Sequence, residues 1–273
     1  MKTDSATPAN SYDFDLFRKG DRDEELRRLD NRASARIDKF LENIGAAGFR
    51  DEMLLLEVGS GTGRRIVELA KKFSKSTFVG IDTSDELLCH ARDAAKKATV
   101  DNVSFVKEDI HMTTLSPESF DFVYARLVIQ HMPSPVETLK KIRELLKPGG
   151  VLYLEDTDRD WMKIYPAPEN WDDVYKKVKA VQKKNGGDPN SGTKLAAHLS
   201  AAGFRNVCSS LEPVTGGREL VADWLQNYAP TFFTNMDAPE NERSHQVLNE
   251  IKEMNLKVGI YFYQVWFHAF GVK

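Results

Sequence analysis

A glycine-rich turn closes an apolar run: Met53-Leu54-Leu55-Leu56 leads into Glu57-Val58-Gly59-Ser60-Gly61-Thr62-Gly63. Glycine at alternate positions lets the chain reverse sharply and lets a ligand lie against bare backbone. The helix that such a turn opens presents unpaired N–H groups, which favour an electron-rich partner. Two acidic positions extend the pattern. Asp82 ends a second apolar run about 20 residues past the turn, where a carboxylate can accept hydrogen bonds from both hydroxyls of a ribose. Glu108-Asp109-Ile110 ends a third; Asp109 there can reach the exocyclic amine of an adenine, with Ile110 packed on the ring. The chemistry implied is the grip on a nucleoside cofactor. Each element also has a plainer reading. A glycine turn can serve NAD, FAD or merely a tight loop, Asp82 can cap the helix that follows, and Asp109 can be an ordinary turn residue. Thr83 or Ser84 is the better cap, which leaves Asp82 for ligand. The dinucleotide pattern G-x-G-x-x-G requires glycine at position 64, and Arg64 stands there, which speaks against a dinucleotide.

These residues need strands to hold them in one plane. Short apolar runs read as strands at 53–58, 77–81, 103–106, 120–124, 151–155 and 207–211, with a long aromatic strand at 261–270. Helical periodicity occupies the intervals at 66–73, 85–98, 135–146, 193–202, 219–227 and 241–254. A single charged helix running to residue 44 carries Leu26, Leu29, Ala33, Ile37, Phe40, Leu41 and Ile44 at helical spacing. Lys147-Pro148-Gly149-Gly150 is a strong stop. Alternating strands and helices predict a doubly wound, mostly parallel, Rossmann-like α/β sheet of seven strands whose C-terminal strand is antiparallel, with an N-terminal helix and a helical cap. Residues 1–14 are expected to be a flexible tail and 15–273 one domain. The cofactor core is expected at 50–157, cap elements at 15–45, 158–192 and 214–256, and the final strand at 261–271.

Composition narrows the function. A formal net charge of −3 gives no global basic field for nucleic acid or anionic membrane. The lysines at 176, 177, 179, 183 and 184 read as a solvated helix face. Two cysteines are too few for a disulfide scaffold or a zinc cluster, and no metal is expected. No stretch reaches the roughly 18 apolar residues of a membrane span, and residues 1–10 have no apolar signal core, so a cytoplasmic location is expected.

The succession LLLEVGSGTGR, IDTSDELL, VKEDI, FDFVYARLVIQHM and LLKPGGVLYLED resembles the class I S-adenosylmethionine (SAM)-dependent methyltransferases, within them the small-molecule branch related to quinone biosynthesis. The close match spans residues 53–156; LAAHLSAAGFRNV at 195–207 is similar less specifically. The resemblance implies that Glu57 and Gly59, Ser60, Gly61, Thr62 and Gly63 hold the methionine part of SAM. Asp82, with Thr83 beside it, would hold the ribose, Asp109 and Ile110 the adenine, and Ala125 and Arg126 would lie next to the sulfonium end. It further implies S-adenosylhomocysteine as product, a small-molecule acceptor, no nucleic-acid partner, and a monomer or homodimer.

Methyl transfer from a sulfonium is an in-line displacement, so the protein chiefly positions the acceptor and excludes water. His131 is the candidate base if the acceptor is a hydroxyl, and activity would then rise with pH through roughly 6–7. Its alternative role is to orient the turn over residues 130–133. Gln130, Asp156, Trp161 and Trp171 are candidate acceptor contacts, with Asp158 a lesser one. A protein or nucleic-acid methyltransferase on the same fold, or a non-catalytic SAM-binding protein, are the competing readings.

Overall fold

The computed structural model describes Tyr12, Phe14 and residues 19–230 and 238–273. The pair Leu16-Phe17, and the stretch 1–11 of the expected tail, lie outside the described residues. Tyr12 and Phe14 do not behave as tail: Phe14 is buried with Leu26 and Leu87, and Tyr12 packs beside them.

The first three strands are β1 (Leu54–Val58), β2 (Thr77–Asp82) and β3 (Val103–Lys107). Then come β4 (Phe120–Arg126), β5 (Leu146–Thr157), β6 (Lys163–Tyr165), β7 (Arg205–Gly216) and β8 (Tyr261–Val272). They form one eight-stranded sheet in the order β3-β2-β1-β4-β5-β8-β6, with β7 also paired to β8. The first five strands are parallel. β8 runs antiparallel to β5, β6 and β7. Ala269 pairs with both Leu154 and Ser209, so β5 and β7 flank opposite edges of β8. The sheet therefore has one strand more than the seven expected. The extra strand, β6, is three residues long and too short to leave a period in the sequence.

Alternation along β1 feeds two cores. Leu56 and Val58 join Leu139, Ile142 and Leu199 on one face. Leu55 joins Phe40, Ile66, Leu88 and Phe122 on the other. The helices supplying these faces are α2 (Ile37–Ala46), α3 (Arg64–Lys72), α4 (Asp85–Ala98), α5 (Pro135–Leu145) and, after α6 (Trp171–Lys184), α7 (Leu195–Ala201). The single N-terminal helix expected up to residue 44 is broken. α1 (Lys19–Ser34) and α2 are separated at Arg36, whose φ of 59° is left-handed and ends helical continuity. Arg36 is held there by an ion pair to Glu212 on β7, and Ala35 gives its carbonyl to the buried Arg65 guanidinium at 3.0 Å. A tertiary pairing thus overrides local helix periodicity.

A third core builds the cap. β6, α6, α8 (Arg218–Asn227) and α9 (Ala238–Lys257) bury Ile164, Val174, Val221, Ile251 and Phe262 together. Trp224 is its centre, with ring centroids 5.8 Å from Trp171 and 5.5 Å from Phe262. The helix α6 was visible in the sequence only as a lysine face; Lys176, Lys183 and Lys184 are indeed exposed. Trp224→Ala is expected to cost about 3–5 kcal/mol, the usual range for removing a buried tryptophan. Denaturant unfolding followed by circular dichroism measures it; a cost below about 1 kcal/mol would show that cap and sheet do not unfold together.

Candidate active site

The site lies where β1, β2, β3 and β4 end side by side, the edge at which doubly wound sheets bind ligands. Backbone hydrogen bonds lock the strand ends together. Gly59 and Ser60 N–H groups both donate to the Ile81 carbonyl at 2.9 Å, and the Glu108 N–H donates to the Asp82 carbonyl at 3.1 Å. Asp82 accepts the Gly61 N–H at 2.9 Å and the Ser84 N–H at 3.0 Å. Ser84, as expected, caps α4 by accepting the Leu87 N–H at 3.4 Å. Asp82 faces the cavity while holding the glycine loop, and a carboxylate has lone pairs for further donors. Asp109 accepts the His111 N–H at 2.9 Å and lines the same cavity with Ile110.

Gly61 has φ +54°, and a Cβ there would meet no atom within 4 Å; its open side belongs to the cavity. Gly63 plays another part. A Cβ there would sit 2.7 Å from Ala91 Cβ and 2.8 Å from Phe105 Cζ, so this glycine seats the loop against α4 and β3 and is not among the cavity-lining residues.

The cavity is large, about 1410 Å³, above the roughly 300–1,000 Å³ of a single small-molecule site. At the glycine-loop end, Glu57 is 5% exposed and its Oε2 has no hydrogen-bond partner. Burial pushes its carboxyl up to about 8 against the opposing pull of Arg65 and Arg126. Arg126 pairs with Glu155 at 2.8 Å and lies 4.6 Å over the Trp266 ring. Burial works against its charge, but Glu155 outweighs this and raises the guanidinium above its usual value.

The N-terminal helix closes one side. Arg22 pairs with Glu86 on α4 at 2.7 Å. Thr62 of the glycine loop donates to Asp30 at 3.1 Å, and Asn31 donates to Asn227 on α8 at 3.0 Å. Tyr12, Phe14, Leu29 and Arg32 thereby become cavity wall, joined by Arg159, Tyr175 and Tyr228 from the cap side.

Of the residues singled out from the sequence, Glu57, Gly59, Ser60, Gly61, Thr62, Asp82, Thr83, Asp109, Ile110, Arg126, Gln130 and His131 share this cavity wall. Gly63, Ala125, Asp156, Trp161 and Trp171 do not. Ala125 is buried inside the sheet core. Asp156 accepts the Gln130 N–H at 2.9 Å and so shapes the turn that carries His131; burial raises it to about 7. Trp161 is 49% exposed and meets Phe267 edge-on. Trp171 lies within the cap core, stacked on Tyr175 at 4.9 Å. Asp158 lines the cavity but accepts bonds from Asn190 at 2.7 Å and Thr193 at 2.6 Å, knitting the cap to β5. The wall residues Tyr12, Arg32, Arg159 and Tyr228 carried no motif. Only the helical phase of Leu29, Arg32 and Ala33 pointed to a common face, and nothing in the sequence told which partner that face would meet.

This arrangement, a doubly wound sheet with a glycine loop and carboxylates at successive strand ends, defines a Rossmann-like methyltransferase fold. Residues 49–227 match the methyltransferase domain family, and the chain belongs to it. It is 30% identical over 152 residues to (S)-coclaurine N-methyltransferase of Papaver somniferum, covering 56% of this chain and 42% of that one. It is 34% identical over 143 residues to sterol 24-C-methyltransferase of Clavispora lusitaniae, covering 52% and 36%. The chain thus spans less than half the length of these curated relatives. A crystal structure described as a putative methyltransferase from Bacillus halodurans superimposes with a TM-score of 0.60 at 18% identity, over 88% of this chain and 99% of that one. Among the described residues no helix is long and apolar enough to cross a membrane, and no cluster of ligating side chains could hold a metal.

His131 sits beside Tyr12, ring centroids 5.6 Å apart. Burial, aided by Arg159 and Arg32, lowers its imidazole to about 3. The activity rise through pH 6–7 expected of a histidine base is therefore displaced out of that window. Because the folded chain refuses a proton that the unfolded chain binds near 6.5, stability is lost as pH falls from about 6.5 towards 3. His131→Gln lacks this loss. Wild type should fall behind it by up to about 1.4 kcal/mol per pH unit below 6.5, read from urea midpoints at pH 7, 6 and 5.

Proposed function

We propose that this chain is a SAM-dependent methyltransferase that moves a methyl group to an oxygen, nitrogen or carbon of a small-molecule acceptor. The observation that carries the reading is the union of an open glycine backbone at Gly61 with Glu57, Asp82 and Asp109 in one cavity. The residues fit the cofactor on independent grounds. The unpartnered, buried Oε2 of Glu57 suits a cationic amino group, Asp82 suits a diol, and Asp109 beside Ile110 suits an amine-bearing flat ring. When bound, SAM supplies an activated methyl on a sulfonium, and no metal enters the scheme. The two exposed, unbridged cysteines support a reducing, cytoplasmic setting.

The chain's own residues provide placement. The Ile81 carbonyl and Asp82 fix the glycine loop. The Arg126–Glu155 pair stiffens the end of β4. α1 and the cap wall further sides of the cavity, which holds acceptor and methyl group together and limits the water around them. A neutral His131 offers a hydrogen bond to the acceptor and leaves deprotonation to acceptors that are already basic or acidic enough; an amine acceptor needs none from the enzyme beyond its neutral form. Protein and nucleic-acid acceptors fit poorly with a cavity walled on the N-terminal side by α1.

SAM and S-adenosylhomocysteine are expected to raise the melting temperature, and NAD to leave it unchanged. Gly61→Val, which places a branched side chain in the open space at a left-handed φ, should abolish the rise while the variant still folds. NAD binding in place of SAM, by calorimetric titration, would overturn the assignment.

Glu57 adds a proton signature. With its carboxyl near 8 it holds a proton at pH 7 in the ligand-free protein, and an ammonium set against it would expel that proton. SAM binding at pH 7 should release close to one proton, and affinity should rise as pH goes from about 6 to 7. Titration calorimetry in buffers of different ionisation enthalpy reads the release directly. Glu57→Gln should show none; equal release from the variant would place the proton elsewhere.

A further inference from the structure

Resting on the methyltransferase reading, we propose that the methyl acceptor is a small amphipathic molecule carrying a carboxylate, which Arg32 binds beneath an aromatic and aliphatic wall. Arg32 stands in the last turn of α1 and lines the cavity. Its guanidinium lies 5.1 Å over the Tyr228 ring, and its Nε is buried without a hydrogen-bond partner. Among the described residues it makes no ion pair. Two neighbouring cations are matched: Arg28 pairs with Glu25, which also accepts from Tyr12 at 2.8 Å, and Arg126 pairs with Glu155.

Four carboxylates of the cavity are committed elsewhere. Glu108 accepts from Thr114 at 2.6 Å, Asp109 from the His111 N–H, and Asp158 from Asn190 and Thr193. Glu137 is exposed and paired with Lys140. Removing a guanidinium from water with no anion to meet it is costly, and burial is the largest influence on Arg32, lowering its hold on the proton. A ligand oxyanion supplies what the protein withholds. Guanidinium presents a planar fork of donors that matches a carboxylate.

The surroundings define the rest of the molecule. Arg159, from the turn after β5, lines the same space and donates to Gln182 at 2.8 Å. Met162, Tyr175 and Val178 form the buried cap-side wall, and Trp266 and Tyr228 face them from β8 and the end of α8. These surfaces are apolar and aromatic, so the anion belongs to a body with a ring or hydrocarbon chain. The gross affinity then comes from the body, and orientation from the Arg32 fork.

The test uses full-length protein saturated with S-adenosylhomocysteine and a panel of aryl and alkyl carboxylic acids, each with its primary amide as a neutral partner. Binding is read by thermal shift and then by calorimetry. Acids should give the stabilising hits and their amides should not. Arg32→Gln should weaken those acids roughly 10–100-fold, the cost of a charge-assisted hydrogen bond, while the dissociation constant of S-adenosylhomocysteine stays within about twofold. Arg32→Lys, which keeps charge but loses the fork, should fall between the two, and far-ultraviolet circular dichroism verifies folding of both variants. Amides binding as well as acids, acid hits that survive Arg32→Gln, or a panel without hits would each overturn the proposal. Wild-type protein that fails to bind S-adenosylhomocysteine would instead overturn the methyltransferase reading.

Discussion

Two backbone N–H groups, those of Gly59 and Ser60, converge on the single carbonyl of Ile81. The rest of the site depends on that convergence. It pins the turn after β1 to the end of β2, which brings Gly61 within reach of Asp82, and the Asp82 carbonyl in turn receives β3 through Glu108. A glycine turn left to itself would sample many conformations, since glycine loses more freedom on ordering than any other residue. Here the cost is offset by hydrogen bonds at the end of a sheet whose central strands are largely buried.

Charge is distributed on the same plan. Buried pairs such as Arg126–Glu155 and Arg28–Glu25 neutralise themselves, whereas Glu57 Oε2 and Arg32 Nε are buried without a hydrogen-bond partner in residues of one cavity wall. Buried polar groups left unmatched by the protein are costly to the fold and become assets once a complementary ligand group arrives. A cationic amino group for Glu57 and a carboxylate for Arg32 would satisfy both, and the neutral imidazole of His131 lines the same cavity without adding a charge.

The polar side chains of α1 fix its place: Arg22, Asp30 and Asn31 tie it to α4, the glycine loop and α8 respectively. The cavity wall therefore takes residues from both α1 and the last strand, Arg32 and Trp266 among them.

By itself the sequence determined the parallel core and the set of strand-end residues that share the cavity wall. Strand runs, glycine spacing and acidic residues at strand ends are local signals, and in a doubly wound sheet local order along the chain maps directly onto position along one edge. It could also identify Ser84 as a cap, because capping is decided within a single turn. What only the tertiary structure decided was long-range. The break at Arg36 needs Glu212 from β7, far along the chain. Gly63 proves to be a packing glycine only because Ala91 and Phe105 approach it. Trp161 and Trp171 looked alike as aromatic candidates, but one lies on the surface and the other inside the cap. Arg32 joins the site because α1 docks on α8. Burial and the identity of the facing side chain set these roles, and neither is encoded by spacing along one segment of chain.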